Sequence, residues 1–230
     1  MSYHRKVNRG ARRTVVAATA GIIGAGVAVA IALPSLAESR SSSACADLDV
    51  VFARGTGERP GLGITGGPLV AGVRNALPGV NVTGSAVDYA ANVSQSSAGP
   101  GATEMTRHIV SVAAQCPDTK FAIGGYSQGA SVTDIAIGIR TTLGRGESIP
   151  ESLAPRIVGV VTFGNPLGLS RRTIESASPL YGPKALEACN RGDFVCGGTG
   201  TGPGFGHLSY PRDGSVTAAS RFVADQFRKS

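Results

Sequence analysis

Gly125-Tyr126-Ser127-Gln128-Gly129 lies where an apolar run, Phe121-Ala122-Ile123-Gly124, meets a segment with helical apolar spacing. A serine between two glycines at a strand-to-helix turn is the pattern of a nucleophile elbow. The turn is so sharp that only glycine fits on either side of it, and the serine hydroxyl is pushed out above the sheet edge. Attack on an acyl carbon is the chemistry such a serine could perform, which makes Ser127 the candidate nucleophile. In a chain with 33 glycines the five-residue motif is weak by itself, so its flanks carry the reading. Lys120 to Tyr126 has the length and composition of a buried strand. Gln128 to Leu143 carries Ala130, Ile135, Ile137 and Ile139 in a helix-length segment that is expected to end near Gly144.

A serine hydroxyl needs a histidine to take its proton and a carboxylate to orient that imidazole. There are three histidines. His4 lies in a basic N-terminal stretch, and His108 lies inside an apolar-periodic helix from Thr103 to Cys116, where a helix-surface or partly buried histidine is expected. His207, in Gly206-His207-Leu208-Ser209-Tyr210, follows the serine in a late loop and fits the chain order serine, acid, histidine of α/β-hydrolases. Two aspartates lie between Ser127 and His207. Asp134 is two turns into the elbow helix and is expected to cap it or to be solvated. Asp193 is the candidate acid, in a late loop between Cys189 and Cys196. A bridge between these cysteines closes too small a ring to gain much from loop closure, so its expected use is to hold Asp193 towards His207.

A second loop is placed to serve the same chemistry. Leu48 to Ala53 reads as a buried first strand and Arg54-Gly55-Thr56-Gly57 as the loop at its C-terminal end, where open parallel sheets bind ligands. Such a loop can bring an amide near Ser127, and the amide of Gln128 supplies a second donor. The same loop lacks the Gly-Lys-Ser/Thr ending of a P-loop and is incomplete as a dinucleotide fingerprint, which argues against nucleotide binding.

These residues together resemble the cutinases, in particular the bacterial secreted cutinase-like esterases. The resemblance covers the chain after its first 37 residues. It rests on Gly125-Tyr126-Ser127-Gln128-Gly129, Cys189-x-x-x-Asp193-x-x-Cys196, His207-Leu208-x-Tyr210 and Ala53-Arg54-Gly55-Thr56. It implies a triad of Ser127, Asp193 and His207 and an oxyanion hole from the amides of Thr56 and Gln128, helped by the Thr56 hydroxyl. Many fungal members carry serine where Thr56 stands. The implied activity is hydrolysis of carboxylic esters, whether cutin-like polyesters, short to medium acyl esters or lipids, through an acyl-enzyme and with no metal or organic cofactor. Phospholipase action or lipid acyl transfer would use the same triad, and a surface-binding protein with a vestigial triad is the alternative from outside enzymology.

The positioning elements alternate strand and helix from Cys45 onward. Strands are expected at Leu48 to Ala53, Val80 to Tyr89, Lys120 to Tyr126, Ile157 to Phe163 and Ala185 to Cys189, and helices at Pro68 to Leu77, Ala102 to Cys116, Gln128 to Leu143 and Ser215 to Arg228. This predicts a three-layer α/β-hydrolase-type sandwich on a mainly parallel five-stranded sheet, monomeric and without a lid domain. Cleft walls are expected from Ala90 to Gly101 and Gly197 to Gly206. Leu180, Tyr181, Phe205 and Leu208 are candidate acyl contacts.

Residues 1–37 hold five basic residues and no acid before and within an apolar run from Thr14 to Leu33. They read as a signal peptide cut after Ala37, with residues 38–44 as a flexible tail and 45–230 as the domain. Left uncut, the run is long enough to anchor the chain in a bilayer. Removing it leaves 17 basic against 15 acidic residues, so the net charge of +7 is largely a leader effect and no nucleic-acid surface is indicated. Contact with a lipid or polymer surface remains compatible with this composition. Four cysteines in an exported chain suggest two disulfides, and proximity favours Cys189 with Cys196, leaving Cys45 with Cys116. Their spacings and the few histidines argue against zinc.

Overall fold

The computed structural model describes residues 45–199 and 206–230; the expected leader, tail and Phe205 lie outside these residues. Five strands, β1 (Leu48–Ala53), β2 (Val82–Ala86), β3 (Lys120–Tyr126), β4 (Ile157–Phe163) and β5 (Ala185–Ala188), form one sheet in the order β2-β1-β3-β4-β5, every neighbouring pair parallel. The apolar runs of β1, β3 and β4 follow from burial on both faces. The helices are α1 (Gly63–Ala76), α2 (Ala98–Gln115), α3 (Gln128–Ala136), the short α4 (Ile174–Ala177) and α5 (Ser215–Lys229). Because β2 and β3 flank β1 on opposite sides, right-handed crossovers send α1 to one face and α2 and α3 to the other. Accordingly α1 packs on α5 and α2 on α3.

Two apolar cores result. One joins Val51, Phe121, Ile123 and Val160 to Met105, Ile109 and Val132, and the other joins Val50, Phe52 and Phe163 to Leu69, Val73 and Val223. Each large side chain buried in them contributes roughly 1.5–3 kcal/mol. Cys45 is bonded to Cys116 and Cys189 to Cys196. The first bond ties the start of β1 to the end of α2.

Where helix ends depart from the sequence reading, the cause is tertiary. α1 starts five residues before Pro68 because the Glu58 carboxylate, from the preceding loop, accepts the Ile64 amide at 2.8 Å. α2 likewise begins at Ala98, ahead of Ala102. α3 stops at Ala136, not Leu143: Gly138 takes φ +81°, and the amides of Gly138 and Ile139 donate to the carbonyls of Ile135 and Asp134 at 3.0 and 2.8 Å, closing a Schellman turn. β2 is shorter than Val80 to Tyr89, as suits an edge strand, and β5 ends one residue early.

The strand order reverses between β1 and β3, and the crevice beyond their C-terminal ends is the topological switch point of the sheet. Thr56 follows β1 there and Ser127 follows β3. Between β3 and His207 the described chain is taken up by α3, β4, α4, β5 and short 3-10 turns.

Candidate active site

Ser127 occupies φ 57°, ψ −118°, a conformation costly for a residue with a side chain and held by its surroundings. Its amide donates to the Phe163 carbonyl at 2.9 Å, pinning the turn to the end of β4. A Cβ on Gly125 would overlap the Gly129 carbonyl, and one on Gly129 would overlap that of Ala53, which is why the flanking positions are glycine. Gln128 is the first residue of α3, so its amide has no acceptor within the helix.

The acid and the histidine are in contact. His207 Nδ1 lies 2.9 Å from both carboxylate oxygens of Asp193. This contact fixes the proton on Nδ1 and leaves Nε2 as the basic nitrogen. Asp193 is fully buried and also accepts the Val195 amide at 2.9 Å and the Tyr210 hydroxyl. Burial pushes its carboxyl up, but the bonds from His207 and Tyr210 outweigh that and hold it below the usual carboxylate range. The Asn190 amide in turn donates to the Tyr210 oxygen at 3.2 Å. The Cys189–Cys196 bridge closes the loop around this acid.

The imidazole is held on its other sides too. The Tyr126 ring stacks on it with centroids 4.9 Å apart, and the Tyr126 hydroxyl donates to the His207 carbonyl at 2.8 Å. Gly164, at φ +59°, follows β4 directly below: a Cβ there would lie 2.7 Å from His207 Cε1 and 2.9 Å from Asp193 Oδ2. Tyr126 precedes Ser127, and the Ser127 amide bonds to Phe163, which precedes Gly164. Serine and imidazole therefore stand over the same strand ends, β3 and β4. No hydrogen bond joins the Ser127 hydroxyl to His207 among the described residues; such contacts tighten when substrate is bound.

The loop after β1 is braced from beneath. The buried Arg54 donates to the carbonyls of Glu58 at 2.9 Å and Tyr89 at 2.6 Å, while the Gly55 amide donates to the Glu58 carboxylate at 2.5 Å. Gln95 Nε2 donates to Thr56 Oγ1 at 2.8 Å. A hydroxyl has one proton to give, so with Gln95 occupying its acceptor side the Thr56 proton is free for another oxygen. Gln128 Nε2 donates to the Asn92 carbonyl at 3.3 Å, and the Gly57 amide to that of Ala91 at 2.8 Å. The segment 91–97 thus clasps both proposed oxyanion residues.

A model of the cutinase family matches residues 44–227. The chain belongs to the cutinase family. It is 57% identical over 190 residues to a cutinase of Kineococcus radiotolerans, covering 81% of this chain and 64% of that protein, so it spans less than two thirds of that relative's length. It is 35% identical over 218 residues to phospholipase Culp4 of Mycobacterium tuberculosis, covering 94% and 93% of the two chains. Trichoderma reesei cutinase, solved in complex with a phosphonate inhibitor, superposes at a TM-score of 0.60 and 28% identity, covering 80% of this chain and 77% of that one.

Within this cutinase fold the expected acyl contacts separate. Leu208, beside His207, is exposed at the site. Leu180 and Tyr181 are not there. The chain from β4 to β5 descends to the opposite end of the sheet, where Tyr181 is buried in one cluster with Ile137, Ile149 and Ala154, the last of which lies three residues before β4. Asp134 needs correction as well: it is fully buried, neither capping nor solvated. It accepts from Asn165 Nδ2 at 3.1 Å, and Asn165 also donates to Glu187 at 3.3 Å. Burial, opposed by the Asn165 bond and aided by the nearby Glu187 charge, pushes its carboxyl up to about 8. His108 is partly buried and bonds Asp49 at 2.8 Å. Gln95, Tyr210 and Gly164 join the site through contacts made across the fold. Only the Tyr210 position, inside the His207-Leu208-Ser209-Tyr210 stretch, carried a sequence signal.

Proposed function

We propose that the chain hydrolyses carboxylic esters through an acyl-enzyme on Ser127. The Ser127 oxygen attacks the ester carbonyl while His207 Nε2 takes its proton. The carbonyl oxygen gains negative charge and is stabilised by the amides of Thr56 and Gln128 and by the Thr56 hydroxyl. The tetrahedral adduct collapses as His207 returns the proton to the leaving alcohol. Water, deprotonated by the same nitrogen, then attacks the acyl carbon, releasing the carboxylic acid and restoring Ser127. Asp193 stays ionised throughout and orients the imidazole.

The observation that carries this reading is the buried Asp193, held by three donors, bonded to an imidazole that stands over the strand ends where the positive-φ serine sits. So complete a network also speaks against a vestigial site. Ester substrates suit the cutinase and phospholipase names of the relatives. A lipid ester is the second reading, favoured by the exposed apolar side chains of Phe194 and Leu208, which adjoin Asp193 and His207, and by Val93 in the clasping segment. Two disulfides suit an exported protein acting outside the cell. No helix among the described residues is long and apolar enough to cross a membrane.

Ser127→Ala should lower hydrolysis of p-nitrophenyl butyrate by up to roughly 10⁶-fold with the melting temperature preserved. Turnover by a folded alanine variant at the wild-type rate would refute the proposal.

A further inference from the structure

At the C-terminal end of α3, away from Ser127, two cavities of about 270 and 460 Å³ share Gly138, Ile139 and Ser148 in their walls. Their size is that of small-molecule sites, roughly 300–1,000 Å³. The smaller is lined by the apolar Ile137, Ile149, Ala177 and Leu180 and by Tyr181. Tyr181 is buried in its wall. The larger cavity is lined by Arg140 and Arg145, both exposed and neither within 4 Å of a carboxylate among the described residues.

The arginine loop is held in place over this space. The Ile149 amide donates to the Ala136 carbonyl at 2.8 Å, Thr106 Oγ1 donates to the Glu147 carbonyl at 3.1 Å, and the Glu147 amide donates to Thr103 Oγ1 at 3.0 Å. Glu147 does not neutralise the two arginines, because Arg107 engages its carboxylate at 2.5 Å. Glu151 lines the smaller cavity and repels an anion from that end.

We propose that these joined cavities bind a single-chain amphiphile with an oxyanion head, the head on Arg140 and Arg145 and the chain running past Ile139 and Ile149 towards Tyr181. The direction follows from charge and side chains: two guanidiniums with the Thr141 and Ser148 hydroxyls at one end, and at the other the Ile137, Ile149, Ala177 and Leu180 side chains together with the anion-repelling Glu151. A carboxylate or a phosphate monoester meets the description. The site does not depend on the esterase reading, since none of its residues belongs to the catalytic network.

The test is titration of the isotope-labelled folded protein with octanoate and with octyl phosphate, followed by amide shifts. Saturable shifts are expected over residues 138–148 and 177–181, and the tighter ligand tells a fatty acid from a phosphate headgroup. Arg140→Gln with Arg145→Gln should weaken binding at least about tenfold, while Arg140→Lys with Arg145→Lys weakens it less; both should melt as the wild type does. Shifts confined to residues around Ser127, Thr56 and His207, equal binding of octylammonium, or inorganic phosphate binding as tightly as octyl phosphate would each overturn the proposal.

Discussion

Asp193 with His207 and Asp49 with His108 are both buried aspartates bonded to partly exposed histidines, at 2.9 and 2.8 Å, yet they are built for different ends. Asp193 lies beyond β5 at the edge of the sheet where the strands end, and it bonds Nδ1, leaving the imidazole's Nε2 outside that bond. Asp49 lies inside β1 and bonds Nε2 of a histidine reaching over from α2. The serine near it, Ser85, donates its proton to the carboxylate at 2.8 Å, as Thr83 does at 2.9 Å, so no hydroxyl is presented to that imidazole. A carboxylate–imidazole bond is therefore a structural device first. It becomes catalytic machinery only where the second ring nitrogen overlooks a nucleophile at a strand-end crevice.

The largest expected effect separates the two pairs directly. His207→Gln, which removes the base itself, should lower turnover of a p-nitrophenyl ester by up to about 10⁶-fold, and Asp193→Asn by about 10⁴-fold, the scale seen when a triad imidazole loses its proper tautomer. His108→Gln should leave kcat/KM within about twofold and cost about 1 kcal/mol of stability, since Asp49 keeps the Thr83 and Ser85 donors. Comparable kinetic losses from both histidines would erase the distinction.

The disulfides sharpen the comparison, since one brackets the Asp193 loop and the other fastens the strand that carries Asp49. In the chain-entropy model, losing Cys45–Cys116, with a sequence separation of 71, should cost about 4 kcal/mol, against about 2–3 kcal/mol for Cys189–Cys196, with a separation of 7. Activity should rank the other way. In paired Cys→Ser variants compared by thermal melt and ester turnover, Cys189→Ser with Cys196→Ser should lose more turnover per degree of melting temperature lost. Full activity in that variant would mean that the bridge does not position the acid.

Smaller effects come from pH. Burial pushes the Asp49 carboxyl up, but the bonds from His108, Ser85 and Thr83 outweigh it and hold the group below the ordinary range. Its contribution is therefore present above about pH 4 and is lost on acidification through the folded value. Asp134 has the opposite sign. With its carboxyl raised to about 8, the folded state is favoured while the group is protonated, and stability falls as pH rises from about 4 to about 8. Asp134→Asn should flatten that decline and gain about 1–3 kcal/mol at pH 8, read as melting temperature between pH 3 and 9. A decline of unchanged slope would place the strain elsewhere.

Much of this was legible in the sequence, for identifiable reasons. The bounds of β1, β3 and β4 can be read directly because strands covered on both faces are unbroken apolar runs between polar turns. Asp193 and His207 stood out because few aspartates and histidines follow Ser127, and the two are indeed in contact. The end of α3 was hidden because Ile137 and Ile139 continue the apolar spacing through the turn that Gly138 makes. The start of α1 was hidden because its partner, Glu58, belongs to the preceding loop. Gln95 and Gly164 serve the site only through contacts made across the fold, so nothing in their local sequence marks them. Leu180 and Tyr181 were misplaced because proximity along the chain to Asp193 says nothing about which end of the sheet a crossover has reached.

The central claim is that Ser127 is activated by His207 and not by His108. It is tested most directly by treating wild type, His207→Gln and His108→Gln with an alkyl phosphonate ester and measuring the rate and position of labelling by peptide mass spectrometry. The account predicts a single adduct on Ser127 in the wild type and in His108→Gln at similar rates, with labelling suppressed in His207→Gln. An adduct on another serine, or equal labelling of Ser127 in all three proteins, would contradict it.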